Sequence, residues 1–313
     1  MSGALPIQFD PASLIALNLI MACMMFGVSL SLRLGDFKRI LLAPIAPLAG
    51  LVAQFLLLPL ATCLFTWALQ IDAELALGMI LVAACPGGSF SNIMTWLARG
   101  NVAVSVSMTA VSSLAATVLT PLNFAFYGWL NPHTREYLTQ ISLEPGGILL
   151  LVLLVLALPL VLGMTTGRKL PQLVARSEKP LRLLSLLVFL GFVGIAFFNN
   201  FDLFIARFHS FFWLVVLHNF IALALGYGMG LLLKLPVSDR RAVTMEVGIQ
   251  NSGLGLVILF TFFPEAGGMM LITAFWGVWH LVSGLTLSQI WARLPLPAGD
   301  PMASTYPQHD QQP

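Results

Sequence analysis

The chain has 313 residues, 58% of them apolar and only 9% charged. A soluble domain carries about 25% charged residues, so this composition excludes an ordinary soluble core and points to a polytopic membrane protein. The formal net charge of +2 offers no basic surface for a nucleic acid.

The first eleven residues, MSGALPIQFDP, lack a basic leader region. The first apolar run is therefore expected to be a retained helix, with 1–11 as an extracellular N-terminus. About nine transmembrane helices are expected, over roughly 12–32, 40–69, 74–98, 101–129, 145–167, 181–200, 208–233, 241–263 and 267–293. Most exceed the ~20 residues needed to cross, so tilts or breaks are expected. The segment 294–313 is rich in Pro, Gln and Ser and reads as a disordered cytoplasmic tail. Cys23, Cys63 and Cys85 all fall in apolar runs and read as packing residues, without a disulfide or metal pattern.

All but two of the 15 basic residues, Arg135 and Arg207, fall in one set of connections. The positive-inside rule then places the N-terminus outside and the tail in the cytoplasm.

Two stretches interrupt their apolar runs. Cys85-Pro86-Gly87-Gly88-Ser89-Phe90-Ser91-Asn92 breaks the third run at its centre. Proline removes a donor and clashes with the preceding turn, while glycine accepts backbone angles that other residues resist. Glu246-Val247-Gly248-Ile249-Gln250-Asn251-Ser252-Gly253 breaks the eighth, and Glu246 is the acidic residue placed inside a hydrophobic span. A carboxylate at that depth costs roughly 2.5–3.5 kcal/mol on insertion scales, which marks it as functional by default. A buried Glu bonded to a neighbouring helix is the alternative reading.

Each broken run follows a run dotted with polar residues, Gln54 in one case and His218-Asn219 in the other. The breaks lie in the third and eighth runs, an odd offset of five, so the units have opposite topology. The expected inverted repeats are 12–129, lacking its first helix, and 145–293. Inverted repeats of this kind place the binding site at their interface near the midplane.

Past the first break, Ser105 and Thr109 lie four apart on one helical face. Alone, such hydroxyls more often bond their own backbone than bind a ligand. Carboxylate, hydroxyl, amide and carbonyl oxygens together are what a hard cation takes. Neither zinc spacing, nor a nucleophile elbow, nor a phosphate loop is present.

The segments CPGGSFSNIMTWLARGNVAVSVSMT and EVGIQNSG, with VVLHN at 215–219 and VWH at 278–280, closely resemble the signatures of the bile acid:sodium symporter family. The resemblance runs from the first span to about Arg293 and implies a core domain of spans 2–4 and 7–9, carrying two broken helices that cross at mid-membrane, against a panel of spans 1, 5 and 6. It implies two sodium ions. The first would take Ser91, Asn92, Ser105, Thr109 and Glu246. The second would take Gln54, Glu246 and Gln250, with carbonyls of Val247 and Ile249. Ser89 and Asn251, beside the crossing, and His280 are implied substrate contacts, although a lone His equally suits packing. Leu281 follows His280 where some bacterial relatives carry an amide, which weakens a transfer of small-carboxylate specificity.

The expected function is sodium-coupled import of an organic anion, bile acid-like or a small carboxylate, across a bacterial inner membrane. The lipid bilayer is the environment, and no oligomer is required. A sodium-independent or proton-linked organic anion or metalloid efflux carrier is the alternative. An intramembrane enzyme would need paired acids or a nucleophile with its base, and a channel a ring of like charges; neither is in the sequence.

Overall fold

A computed structural model describes residues 41–140, 153–172 and 201–306, with isolated positions in 19–35, at 150 and in 174–198. The N-terminus 1–11, nearly all of the runs expected at 12–32 and 181–200, and 307–313 lie outside the described residues. The described chain is helical, without strands, and holds four helices long and apolar enough to cross a membrane.

Helix α1 spans Ile45–Ala68 and α2 Ala73–Ala84; α3 covers Phe90–Leu97 and α4 Val102–Leu130. A short α5, Pro132–Gln140, precedes α6, Leu158–Lys169. Then come α7 at Phe201–Leu232, α8 at Val237–Gly248, α9 at Ser252–Phe262 and α10 at Gly267–Ala292.

Neither α2, with 12 residues, nor α9, with 11, is long enough to cross alone. Leu75 through Ala84 and Ser252 through Phe260 are buried without a gap, so both short helices are jacketed by protein on every side. Interrupted backbone at membrane depth is tolerated only in such a setting.

The helix irregularities have identifiable partners. Pro59 cannot donate to the preceding turn, and α1 passes through a π-helical stretch at Ala53–Leu57 just before it. The Phe55 carbonyl freed there accepts from Asn123 Nδ2 at 2.8 Å. At the end of α2, the Ala84 carbonyl accepts from Thr120 Oγ1 at 2.8 Å. The Gly248 carbonyl that ends α8 accepts from Asn219 Nδ2 at 2.8 Å, and Asn219 is held in turn by Ser283 Oγ at 2.5 Å.

The tail expected to be disordered from 294 is ordered through Tyr306. Leu296 is buried, and Asp300 accepts from the Ser238 N–H and from the Met302 N–H, both at 3.0 Å. A polar composition looked unable to fold by itself, but here it meets unpaired donors at a helix start. Burial would raise the Asp300 carboxyl, yet hydrogen bonds from Ser238 and Met302 and the charge of Arg241 outweigh it and hold it below its ordinary value. The contribution of a carboxylate shifted this way is complete above the ordinary carboxylate range and is lost as the pH falls through its lowered value, so the contact is intact at neutral pH.

Candidate functional site: the crossing of two broken helices

The two breaks meet. Gly87 and Gln250 form an isolated antiparallel bridge, Gly88 N donates to the Ile249 carbonyl at 2.7 Å, and Asn251 N donates to the Pro86 carbonyl at 2.8 Å. Each irregular segment thus satisfies the backbone groups that the other leaves open. Glycine is required here by space: a Cβ on Gly87 would lie 2.2 Å from Glu246 Oε1, and one on Gly88 would lie 2.9 Å from the Gln250 carbonyl oxygen.

Glu246, on the last turn of α8, is 1% exposed and points into a cluster of hydroxyls. Its Oε2 accepts from Ser91 Oγ at 2.5 Å and Thr109 Oγ1 at 2.9 Å, with Ser105 Oγ at 3.5 Å. Its Oε1 faces Ser112 Oγ at 3.5 Å. Ser91 comes from α3, while the other three lie on one face of α4. Among the described residues, no three or more His, Cys, Asp or Glu gather as a metal cluster, so Glu246 is a single carboxylate in neutral oxygens.

The oxygens outnumber the protons. Thr109 has one hydroxyl proton, yet its Oγ1 lies 2.9 Å from Glu246 Oε2, 3.0 Å from the Ser105 carbonyl and 3.4 Å from Asn92 Oδ1. Such a surplus of acceptors suits a hard cation, whose ligands are oxygens with free lone pairs. The structure therefore brings together Ser91, Asn92, Ser105, Thr109 and Glu246. Ser112, missed in the sequence, joins them; its spacing three after Thr109 was the available signal. Thr95 was also missed, and it donates to Ser105 Oγ at 3.3 Å.

A second polar group lies beside the crossing. Gln54 Nε2 donates to the Cys85 carbonyl at 2.7 Å and to Gln250 Oε1 at 2.6 Å, while Gln250 Nε2 donates to the Val247 carbonyl at 2.7 Å. Gln54 Oε1 is buried without a hydrogen-bond partner. An orphaned buried acceptor is costly unless something electropositive joins it. The Ile249 carbonyl is used across the crossing by Gly88.

Of the expected substrate contacts, Ser89 is partly buried at the start of α3, with its hydroxyl unused as a cap. Asn251 is partly buried and caps α9 by accepting from Leu254 N at 3.1 Å. His280 is 3% exposed; its Nδ1 is 3.4 Å from Ser252 Oγ and its ring meets Trp276 edge-on at 5.1 Å. His218, a polar residue in its apolar run and part of VVLHN, lies in an oriented chain. Trp276 Nε1 donates to His218 Nδ1 at 3.0 Å; an indole N–H only donates, which leaves Nε2 to donate to Thr62 Oγ1 at 2.8 Å. Thr62 then donates to the Leu58 carbonyl at 2.7 Å.

Comparison with known proteins places this arrangement. Residues 18–207 match the sodium bile acid symporter family. The chain is 32% identical over 277 residues to the sodium-dependent transporter YocS of Bacillus subtilis, covering 88% of this chain and 83% of that protein. It is 31% identical over 273 residues to the probable sodium/metabolite cotransporter BASS1 of Oryza sativa, covering 87% of this chain and 64% of that one. Against the sodium/bile acid cotransporter 4 of Homo sapiens it is 31% identical over 242 residues, covering 77% of this chain and 54% of that one. The chain thus spans only part of the plant and human relatives. With its apolar spans and buried crossing, the chain belongs to the sodium bile acid symporter family, as a multi-pass membrane transporter and not an enzyme.

Proposed function

We propose that this protein is a secondary symporter that couples sodium entry to import of an organic anion by alternating access. The observation that carries the reading is the buried carboxylate of Glu246, set among more acceptor oxygens than protons. Two sodium ions fit the two polar groups. Ser91, Asn92, Ser105, Thr109 and Glu246 hold the first. Gln54, Gln250 and Glu246 hold the second, with the Val247 and Ile249 carbonyls as further ligands and the orphaned Gln54 oxygen turned to use. The anion docks beside Ser89, Asn251 and His280, where half-helix N-termini favour negative charge.

The full architecture in this reading has nine membrane helices in two inverted repeats, 12–129 and 145–293, with a core that rocks against a panel. A bacterial inner membrane, an outside N-terminus and a cytoplasmic tail complete it. The thirteen-to-two split of basic residues between the two sets of connections supports the orientation. A tag at the C-terminus is expected to be shielded in intact cells and labelled only after permeabilisation; labelling in intact cells refutes the orientation.

The function is tested with purified protein in proteoliposomes, offered a panel of bile acids, steroid sulfates and small carboxylates under a sodium or a choline gradient. Sodium-stimulated uptake of at least one anion is expected. Equal rates in both buffers across the panel would favour the sodium-independent carrier.

Ser105→Ala or Thr109→Ala should each raise the sodium concentration for half-maximal uptake. One neutral contact is worth about 1–3 kcal/mol, so the expected rise is roughly five- to hundredfold. Sodium titrations unchanged in both variants would return these hydroxyls to a purely structural role.

A further inference from the structure

Helix α8 carries Glu246 but has no cap of its own. Its N-cap position is Pro236, which offers no side-chain oxygen to the first-turn donors. The acceptor arrives from 62 residues away, as Asp300 Oδ2 takes the Ser238 N–H at 3.0 Å. A carboxylate at a helix N-terminus is also favoured by the helix dipole.

The same tail grips the end of α3. Arg241, 3% exposed on α8, donates from Nη1 to the Ala98 carbonyl at 2.7 Å and from Nη2 to the Leu294 carbonyl at 3.0 Å. Tyr306 Oη donates to the Gly100 carbonyl at 3.3 Å. Between the two helix ends, Asn101 N donates to the Ser238 carbonyl at 3.0 Å, and Asn101 Nδ2 donates to Asp239 Oδ1 at 2.8 Å. One junction therefore joins the end of α3, the start of α8 and the tail. Helix α3 bears Ser91 and Asn92, and α8 bears Glu246, so three of the five first-site ligands sit on the two levers that the tail ties together.

We propose that residues 294–306 form a strap that holds α8 against α3, and that Asp300 is the positioning residue through which the strap sets the affinity of the ion site. This rests on the sodium reading above. Released from Asp300, the start of α8 samples positions in which Glu246 no longer meets Ser91. Apparent affinity falls in proportion to the loss of the competent arrangement.

The test uses the full chain and sodium alone, with choline as the osmotic control, and reads the sodium concentration at the midpoint of thermal stabilisation. Asp300→Ala is expected to raise that midpoint about tenfold while reaching the wild-type plateau at saturating sodium. Asp300→Asn, which keeps one acceptor, should raise it about threefold, and Tyr306→Phe should raise it measurably. If Asp300→Ala does not fold, the two milder variants decide. An unchanged midpoint in the folded variants, even with a lower melting temperature in choline, makes the tail a structural cap only and overturns the strap. A wild type without any sodium response instead removes the sodium reading, and the strap's role in affinity with it.

Discussion

Glu246→Gln is expected to leave a folded protein that has lost sodium-driven uptake. Gln keeps the shape and one oxygen, and it accepts from Ser91 or Thr109 as the carboxylate does. It removes the charge that compensates a cation in a buried, oxygen-rich site. Removing one partner of a buried charge pair costs about 3–5 kcal/mol, so sodium affinity should fall about a hundredfold or more. If sodium tightens substrate binding in the wild type, substrate tightens sodium binding by the same factor, and both gains should vanish together. The measurement is substrate affinity at zero and at saturating sodium in wild type and variant. A variant that keeps the full sodium-dependent gain removes Glu246 from the coupling.

Gly87→Ala is expected to weaken sodium binding without replacing any proposed ligand. The new methyl would lie 2.2 Å from Glu246 Oε1 and 2.5 Å from its Cδ. A flexible side chain on a surface would swing aside. Glu246 is buried and engaged by hydroxyls on both of its oxygens, so it cannot retreat without giving up those contacts. Overpacking of this kind costs about 1–3 kcal/mol, and most of it should appear as weakened sodium binding, roughly tenfold or more. Gly228→Ala is the control: beyond the local backbone of its own helix nothing lies within 4 Å of its added Cβ, and alanine is the better helix former. Sodium titrations of the two variants should separate widely; a Gly87→Ala titration that overlays the wild type would mean the crossing relaxes around the methyl.

The structure adds residues that the sequence reading passed over for a common reason. Ser112, Thr95 and Asn123 are ordinary hydroxyl and amide residues in apolar helices, where bonding to their own backbone is the default. Their significance lies in what faces them: Glu246, Ser105 and the carbonyl that Pro59 sets free. His218 stood out as a polar residue in an apolar run, but the indole of Trp276, 58 residues away, is what fixes its tautomer.

The sequence by itself determined the class and the chemistry on offer. Apolar runs too long and too numerous for a soluble core require a membrane, because only there is so little charge tolerated. Pro86-Gly87-Gly88 and Gly248 mark where helices must break, since proline lacks a donor and glycine resists ordering. Glu246 among them marks where a charge must find compensation. These are local properties, carried by a few neighbouring residues. Only the tertiary structure decided how the breaks meet: Gly87 pairs with Gln250, and Ser91 reaches Glu246 across 155 positions of chain. It also decided that the tail is ordered through Tyr306, because Pro236 leaves the start of α8 uncapped and Asp300 supplies the acceptor. Spacing along a chain predicts which side chains share a helix face. It does not predict which donor on a distant helix a carboxylate will find, because that depends on how whole helices pack.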